Sequence, residues 1–467
     1  MATRSNPAVR WLAKAVCWIF YRTDRLGSIP QQGAVLLLPN HPNALLDPAL
    51  VWATAERDVR FLAKSTLFDG LFGPVLRGAG AIPVYRKMDH GVDTARNAET
   101  FAAVSAAFAA GDAVCIFPEG ISHSTGRLEP LRTGAARMTL DAERRGTAVA
   151  LIPVGLNFDR KSMFRSRVTV VFGHPFSARD LSTDIDERGS AEHSPDNRAE
   201  AAAVKALTAR IAEHMRGQLI EADPSSDAAL VYRVDRLYTA ARARPLEPAE
   251  RLERRRAIAE GIERLRRADP LRYEQILLRL RRYDQRMQRF GLRDRDLNWQ
   301  LSRADVVRFA VREIGCAILL LPLCIAGMIV FFLPYQVTWL VARRVTDKRD
   351  VVATAQVFAG AAIYSSWLAL LGAVAWRWAG MPAALLTIAL LPVVAVAAVV
   401  AIERESAVMD AVRSWWMLRR TDRDTRERLR RRRSELADLL DEVYKWLETD
   451  PISSTDTSAR TAPTRTD

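Results

Sequence analysis

Three long apolar stretches in the C-terminal half limit the folds open to this chain. They cover residues 313–342, 351–376 and 381–402. A helix needs roughly 20 consecutive apolar residues to cross a bilayer, and helices in soluble cores are seldom this long and this uniformly apolar. The sequence therefore predicts C-terminal transmembrane helices, with the membrane segments occupying residues 309–403.

Basic residues flank these stretches unevenly and indicate their orientation. The segment RRVTDKRD between the first two is basic, as are the regions before the first and after the third, whereas only Arg377 lies between the second and third. Cytoplasmic loops carry an excess of Lys and Arg. Three full crossings would put either this basic loop or the N-terminal domain on the side of the membrane opposite the cytoplasm. A re-entrant first stretch, interrupted by Pro322, Gly327 and Pro334, removes the conflict. We expect a multi-pass protein of the inner (cytoplasmic) membrane with a cytoplasmic N-terminal domain, and the sequence leaves open whether 313–342 spans or re-enters.

Residues 34–173 alternate short apolar runs with alanine-rich amphipathic segments. The runs are AVLLLP, VRFLAK, AIPVY, AVCIFP, VALIPVGLNF and RVTVVFG. Short buried strands that alternate with helices are typical of an α/β sheet covered on both faces. We predict one α/β domain over 31–222, a mixed sheet covered by helices, with the polar residues 182–197 as a loop.

Helices are predicted on either side of the apolar stretches. Residues 223–308 are basic and predict a helical hairpin, with Pro248 in the first turn of one helix, Asp269 and Pro270 beginning the next, and Gly291 ending it. Residues 404–450 predict a cytoplasmic amphipathic helix with a basic first half. The tail 451–467 is rich in Ser, Thr and Asp and is predicted to be disordered.

The N-terminal residues 1–30 predict an amphipathic helix. Val9, Leu12, Val16 and Ile19 recur at helical spacing, and Lys14 lies inside the run WLAKAVCWIF, which argues against a secretory signal. Two interpretations fit the pattern: a helix on a membrane surface and a helix packed on the domain that follows. We predict a membrane-associated helix.

Charge and cysteine content narrow the possible partners. Lys and Arg number 68 against 54 Asp and Glu, a net charge of +14, which suits nucleic acid, anionic lipid or a phosphorylated substrate. The basic residues lie all round the predicted helices instead of on one face, so we expect no nucleic-acid partner. The four cysteines have neither paired nor metal-type spacing and predict buried thiols.

Polar residues follow several of the predicted strands. PNHPNALLDP places His41 and Asp47 after one strand, GAIPVYRKMD places Arg86 after another, and FPEGISHS places Glu119 and Gly120 after a third. Ligands of open α/β sheets bind beyond the carboxyl ends of the strands. These loops are therefore expected to converge on one site, although each residue alone also has an ordinary explanation as a helix cap, a turn or a solvated charge.

In this order, and with LIPVGLNF as the fourth, the blocks resemble those of the glycerol-phosphate acyltransferase superfamily. The general pattern has four residues between His and Asp, whereas the five between His41 and Asp47 resemble the fungal-type branch of glycerol-3-phosphate/dihydroxyacetone-phosphate acyltransferases. RRYDQRMQRFGLRDRDL and the membrane segments are similar to that branch as well, so the resemblance covers most of residues 1–402. One departure is Ser122, where the commoner third block FPEGTRS has Arg.

The resemblance implies an acyltransferase in which His41 is the catalytic base and Asp47 orients it. It also implies an acceptor site in which Arg86 binds the phosphate. Position 122 has serine where the commoner third block has arginine. Arg127 and Arg132, which follow this block, could replace that arginine. The predicted substrate-binding residues are Asn40, Arg86, Glu119, Gly120, Arg127 and Arg132.

Residue chemistry supports the same reaction independently. An alcohol must lose its proton as it attacks an acyl thioester, and histidine, with a pKa near ~6.5, accepts a proton at neutral pH. Asp47 would hold the imidazole so that its other nitrogen faces the hydroxyl. A thiolate leaves readily, so neither a metal nor a cofactor is expected, and acyl-CoA or acyl carrier protein serves as co-substrate.

We therefore expect a membrane-bound enzyme of phospholipid biosynthesis that acylates a hydroxyl of glycerol 3-phosphate. The acceptor alternatives are 1-acylglycerol 3-phosphate, which would give phosphatidate, and dihydroxyacetone phosphate. A rival of another class is a non-catalytic membrane scaffold that binds lipid or a partner. The expected partners are the acyl donor, the phosphorylated acceptor and anionic membrane lipids.

Overall fold

The chain divides into two compact units. One comprises Met1–Glu221 with Thr338–Ala361, and the other comprises Ala222–Val337 with Ala362–Asp467. The computed structural model describes residues 7–44, 46–69, 73–85, 96–123, 127–161, 163, 165–179, 196–221, 225–242, 246–298, 322, 325–341, 344 and 352–449.

A seven-stranded mixed sheet forms the centre of the first unit. Its strands are β1 (Tyr21–Leu26), β2 (Ala34–Pro39), β3 (Val59–Lys64), β4 (Ile82–Val84), β5 (Ala113–Cys115), β6 (Val149–Phe158) and β7 (Ser166–Phe172). The spatial order is β1-β7-β6-β2-β5-β3-β4. Strands β6, β2, β5, β3 and β4 run parallel, while β7 is antiparallel to β6 and β1 is parallel to β7. The predicted mixed α/β sheet is confirmed, and each predicted run contains a strand.

Both faces of the sheet are covered. Helices of the first unit are α1 (Pro7–Phe20), α2 (Leu46–Thr54), α3 (Gly73–Gly78), α4 (Asn97–Ala109), α5 (Gly134–Arg144) and α6 (Asp196–Arg216). The central strand β2 alternates between two cores: Val35 and Leu37 join one, and Leu36 and Leu38 join the other, all with 0% exposure. Burial on both faces explains why this strand is an unbroken apolar run.

The N-terminal region differs from the single helix predicted for residues 1–30. Helix α1 ends at Phe20, and Tyr21–Leu26 continue as the edge strand β1. The buried face of α1 includes Cys17, and burial raises the pKa of its thiol to about 12. Trp11 and Trp18 point away from that core and are 71% and 52% exposed. The helix thus packs on the domain and also presents an outer aromatic face.

The remaining helices follow the sheet in sequence. They are α7 (Ser225–Arg242), α8 (Pro248–Ala268), α9 (Pro270–Arg289), α10 (Ile325–Val341), α11 (Val352–Arg420) and α12 (Arg423–Thr449). Asp269 caps α9 as predicted, since its side chain accepts from the backbone N–H of Arg272 at 2.9 Å. Helices α7, α9 and α12 share one core, so α8 and α9 belong to a larger bundle instead of forming an isolated hairpin. Residues 404–420 belong to α11, which shortens the predicted C-terminal helix.

The segment after α9 fastens this bundle. Asp294 accepts from the guanidinium of Arg233 at 2.7 Å and from the hydroxyl of Tyr283 at 2.8 Å. Asn298 donates to the carbonyl of Ala240 at 2.6 Å, and Leu297 is fully buried. The stretch FGLRDRDL, singled out by its resemblance to one branch, therefore holds α7 and α9 together.

Helix α11 reverses direction at Gly380. This glycine has φ +82° and ψ 179°, which no helix allows. A Cβ at Gly372 would lie 3.1 Å from Ile388, whereas 16 residues of straight helix would separate these positions by about 24 Å. The two halves of α11 therefore pack against each other as an antiparallel hairpin.

Helix α10 packs on the first half of that hairpin. Trp367 donates its indole N–H to the carbonyl of Val330 at 2.9 Å, and the rings of Phe331 and Tyr364 stack with centroids 5.8 Å apart. Among the described residues, Ala359–Ala395 is long and apolar enough to cross a membrane, with a mean hydropathy of 1.9, while α10 is shorter. The number of crossings stays a prediction, and residues 182–195 and the tail 451–467 lie outside the described residues.

Candidate active site

The parallel pairing of β2 and β5 brings two of the predicted loops side by side. Leu37 of β2 is level with Cys115 of β5, and His41 and Glu119 each follow four residues later. The register alone therefore sets these two residues level beyond the carboxyl ends of neighbouring strands. The predicted convergence of the first and third blocks is present in the structure.

His41 and Asp47 form a hydrogen-bonded pair. The imidazole Nδ1 lies 2.9 Å from Asp47 Oδ2, and the imidazole ring stacks on Phe117 with centroids 4.1 Å apart. Asp47 is fully buried in the first turn of α2, where the helix dipole favours a carboxylate. The His41 side chain keeps 19% of its surface exposed. With Nδ1 on the carboxylate, Nε2 is the nitrogen available to a substrate proton.

Burial and hydrogen bonding act on Asp47 in opposite directions. Desolvation raises the pKa of this carboxyl above its ordinary value. The hydrogen bond from His41, the 2.6 Å bond from the backbone N–H of Asn43 and the nearby ammonium of Lys161 lower it. Burial is the largest of these effects, so keeping Asp47 ionised lowers the stability of the folded state.

Glu119 joins the two loops. Its Oε1 accepts the backbone N–H of His41 at 2.8 Å, and its Oε2 accepts the backbone N–H of Glu129 at 2.9 Å and contacts His123 Nε2. The residue is 1% exposed. These bonds give Glu119 a structural task inside the site, and its contact with an acceptor hydroxyl stays a prediction.

Two further hydrogen bonds join the same loops. The backbone N–H of His123 donates to the carbonyl of His41 at 3.1 Å, and the backbone N–H of Ala44 donates to Ser122 Oγ at 3.0 Å. Ala44 has φ +45°, a left-handed conformation that costs a residue with a Cβ roughly 1–2 kcal/mol. The turn between His41 and Asp47 therefore depends on contacts from the third block.

Asn40 extends the pairing of β2 with β6. Its amide oxygen accepts the backbone N–H of Leu156 at 2.7 Å, and its amide nitrogen donates to the carbonyl of Leu156 at 3.3 Å. The side chain is nearly buried, at 8% exposure. Asn40 thus fixes the start of the loop that carries His41, and its role in substrate binding stays a prediction.

Three residues absent from the predicted site complete the support of this turn. Lys161 donates from Nζ to the carbonyl of Pro42 at 3.0 Å. The hydroxyl of Tyr21 donates to the carbonyl of Lys161 at 2.5 Å and accepts from Asn43 Nδ2 at 2.8 Å. Only Asn43, lying between His41 and Asp47, had a sequence position that could have drawn attention to it.

One of the predicted cations, Arg132, lies beside the loop of the third block, and another is outside the described residues. Gly120 has φ +71°, and a Cβ there would lie 3.2 Å from Arg132 Cγ, so glycine lets this arginine lie against the loop. Arg127 and Arg132 are exposed. Arg86 lies outside the described residues, so its assignment to the acceptor phosphate stays a prediction.

Comparison with known proteins agrees with the motifs. A family model described as Acyltransferase matches residues 21–157. Glycerol-3-phosphate O-acyltransferase 1 of Saccharomyces cerevisiae is 27% identical over 265 residues, covering 52% of this chain and 33% of the relative. Glycerol-3-phosphate O-acyltransferase 2 of the same yeast is 38% identical over 81 residues, 17% of this chain and 11% of the relative. The chain thus spans a third or less of these relatives.

A solved structure also overlaps part of the chain. It is the 1-acyl-sn-glycerophosphate (LPA) acyltransferase PlsC from Thermotoga maritima, with a TM-score of 0.30 and 16% identity over 44% of this chain and 78% of that one. Residues 21–157 form an acyltransferase domain, and the yeast relatives support the predicted glycerol-phosphate acyltransferase superfamily and its fungal-type branch. The predicted family is confirmed.

The raised pKa of Asp47 leads to a prediction for Asp47→Asn. Between the unfolded and folded pKa values of this carboxyl, the folded state binds more protons, so this group's contribution to stability falls as pH rises. Asparagine carries no charge to desolvate. The thermal midpoint of Asp47→Asn relative to wild type should therefore increase as pH rises through that window and then level off. Thermal unfolding followed at several pH values measures this difference.

A matched control separates burial from charge. Asp69 is exposed, so Asp69→Asn should show no comparable rise with pH. An Asp47→Asn variant that loses stability relative to wild type as pH rises would contradict the assigned cost of burying this carboxylate.

Proposed function

We propose that this domain transfers an acyl chain from an acyl thioester to a hydroxyl of glycerol 3-phosphate. The observation that carries the proposal is the His41–Asp47 pair, with the imidazole anchored through Nδ1 to a buried carboxylate. His41 Nε2 takes the proton of the hydroxyl as its oxygen attacks the thioester carbonyl. The tetrahedral intermediate then expels the thiolate, which takes the proton from the imidazolium. Acyl-CoA and acyl carrier protein both supply such a thioester.

The acceptor phosphate needs cationic donors near the dyad. Arginine suits this task because its planar guanidinium can bind two phosphate oxygens at once. We assign Arg86 to this contact, with Arg132, which lies beside Gly120, and Arg127 as further candidates. Because Glu119 is already bonded to two backbone N–H groups and His123, the arginines are the stronger candidates for holding the acceptor.

Glycerol 3-phosphate is favoured over the other acceptors. The yeast relatives are named for glycerol 3-phosphate, and 1-acylglycerol 3-phosphate is the second candidate. A lipid-binding scaffold without activity would not require a base anchored on a buried carboxylate, since that burial raises the pKa of Asp47 and opposes folding. The intact dyad therefore argues for an enzyme.

We also propose that the protein associates with a membrane, which the exposed apolar surfaces support. Trp11 and Trp18 face outward from α1, and Lys14 is also exposed on that helix, a combination that suits the anionic surface of a bilayer. We assign two crossings to the halves of α11 and a cytoplasmic location to the catalytic domain. Trp376 and Trp378 lie beside the reversal at Gly380 and are 58% and 87% exposed, as expected at an interface.

The proposed reaction is tested on the purified full-length protein in lipid nanodiscs. With labelled acyl-CoA, wild type should acylate glycerol 3-phosphate with a higher kcat/KM than 1-acylglycerol 3-phosphate or dihydroxyacetone phosphate. His41→Ala should lower turnover by about 10²–10⁴-fold, the usual value of general base catalysis. His174 is exposed, so His174→Ala is the matched control and should leave turnover unchanged. Near-normal turnover in His41→Ala would favour the scaffold.

Arg86 is tested by separating acceptor from donor kinetics. Arg86→Ala should raise the KM for the acceptor, or lower its kcat/KM, while the KM for the donor moves much less. Arg86→Lys should recover only part of the loss, because lysine lacks the planar fork. Arg137→Ala, on the exposed side of α5, is the control. Equal damage to donor and acceptor parameters would remove Arg86 from the phosphate site.

The assigned topology is tested with an impermeant thiol reagent in intact cells. In a variant without native cysteines, Ala379→Cys beside the reversal of α11 should react from outside. Thr346→Cys, in the basic segment RRVTDKRD, should not react, because cytoplasmic loops carry the excess of Lys and Arg. Labelling of Thr346→Cys from outside would replace this topology with one in which the first apolar stretch spans the membrane.

A further inference from the structure

The turn that carries His41 is stabilised by a residue from a different block. The backbone N–H of Ala44, between His41 and Asp47, donates to Ser122 Oγ at 3.0 Å. Ala44 and Arg165 are the two non-glycine residues with a positive φ in the part of the chain that the structure describes. Because Ala44 carries a Cβ, its left-handed conformation persists only if contacts around it hold it there.

The left-handed residue accommodates the length of the turn. Five residues separate His41 from Asp47, yet the His41 imidazole and the Asp47 carboxylate lie 2.9 Å apart. Within the turn, the backbone N–H of Leu46 donates to the carbonyl of Asn43 at 3.1 Å, and that of Asp47 donates to the carbonyl of Ala44 at 3.3 Å. Ala44 is thus the point at which the chain folds back before α2 begins.

The third block places a hydrogen-bond acceptor opposite that point. Glu119 is tied to the backbone of His41, and His123 donates its backbone N–H to the His41 carbonyl. Ser122 lies between these two attachments, and its short side chain meets the N–H of Ala44. An arginine at this position would have five N–H donors and no side-chain acceptor. Ser122 therefore supplies the hydrogen-bond acceptor that the turn with five residues between His41 and Asp47 needs opposite Ala44.

We propose that Ser122 is a positioning residue for the acyl transfer, whose hydroxyl oxygen holds Ala44 in its left-handed conformation and thereby keeps Asp47 against the imidazole of His41. The inference deepens the proposed function and rests on it for its kinetic consequences. Ser122 acts through the backbone of the turn, so its loss affects the chemical step and leaves the binding of both substrates nearly intact. A serine that contacted the acceptor phosphate would have the opposite effect.

The test combines Ser122→Ala with Ala44→Gly in the full-length protein. Ser122→Ala should lower kcat about tenfold, the value of one net hydrogen bond expressed in the transition state, while both KM values change less than about twofold. Ser122→Thr keeps the hydroxyl and should retain most of the activity. Because glycine adopts a positive φ without a side-chain penalty, adding Ala44→Gly to Ser122→Ala should restore most of the lost kcat.

Thermal midpoints give a second readout that does not depend on activity. Ser122→Ala should lower the midpoint, and Ala44→Gly should restore more of it in the Ser122→Ala background than it adds to wild type. Ser105→Ala, which removes a hydroxyl on helix α4, is the control and should change neither kcat nor this coupling.

Two results would overturn the inference. One is a Ser122→Ala variant whose main defect is a raised acceptor KM, and the other is a double variant in which glycine restores neither kcat nor the thermal midpoint. A wild-type protein that acylates no acceptor would instead end the proposed function, and the thermal coupling between positions 44 and 122 would then decide the structural role of Ser122.

Discussion

The buried carboxylate of Glu119 is the contact on which the rest of the site depends. A carboxylate that is 1% exposed needs hydrogen-bond donors, because burying an unpaired charge is costly. Glu119 finds them in the backbone N–H groups of His41 and Glu129 and in the ring of His123. The parallel register of β2 and β5 brings the loops level, and this one side chain joins them. The loop that carries His41 is consequently positioned by the neighbouring loop that carries Glu119 as well as by its own strand β2.

His41 is held by two acids that act on different parts of it. Glu119 accepts its backbone N–H, which fixes where the residue lies, and Asp47 accepts from Nδ1, which fixes how the ring is turned. In the proposed reaction, a base held in both position and orientation needs little rearrangement to reach a substrate hydroxyl. The ammonium of Lys161 lowers the pKa of Asp47 and so opposes part of the effect of burial on this carboxyl.

The sequence predicted the sheet and the dyad better than it predicted the support around them. Apolar runs located the strands from β2 to β7 because each is buried on one or both faces, whereas β1, with the polar sequence YRTDRL, pairs only with β7 at the edge of the sheet and has no such signal. His41, Asp47 and Glu119 occur in recognisable blocks, so their convergence followed from strand order. Lys161 reaches the turn from a distant segment through the backbone carbonyl of Pro42, and any residue type supplies a carbonyl. Tyr21 reaches it through the side chain of Asn43.

Lys161 and Arg165 link the turn that carries His41 to the N-terminal helix. Lys161 bonds to the carbonyl of Pro42, while Arg165, four residues later, donates its backbone N–H to the carbonyl of Phe20 at 2.7 Å and stacks its guanidinium over Trp18 at 5.4 Å. The two substrates of the proposed reaction differ in polarity, since the acyl chain is apolar and the phosphorylated acceptor is water-soluble. A site that joins them works best where the bilayer meets the solvent. A helix whose outer face carries exposed tryptophans, linked through Lys161 and Arg165 to the turn that carries His41, would set the proposed catalytic residues at that boundary.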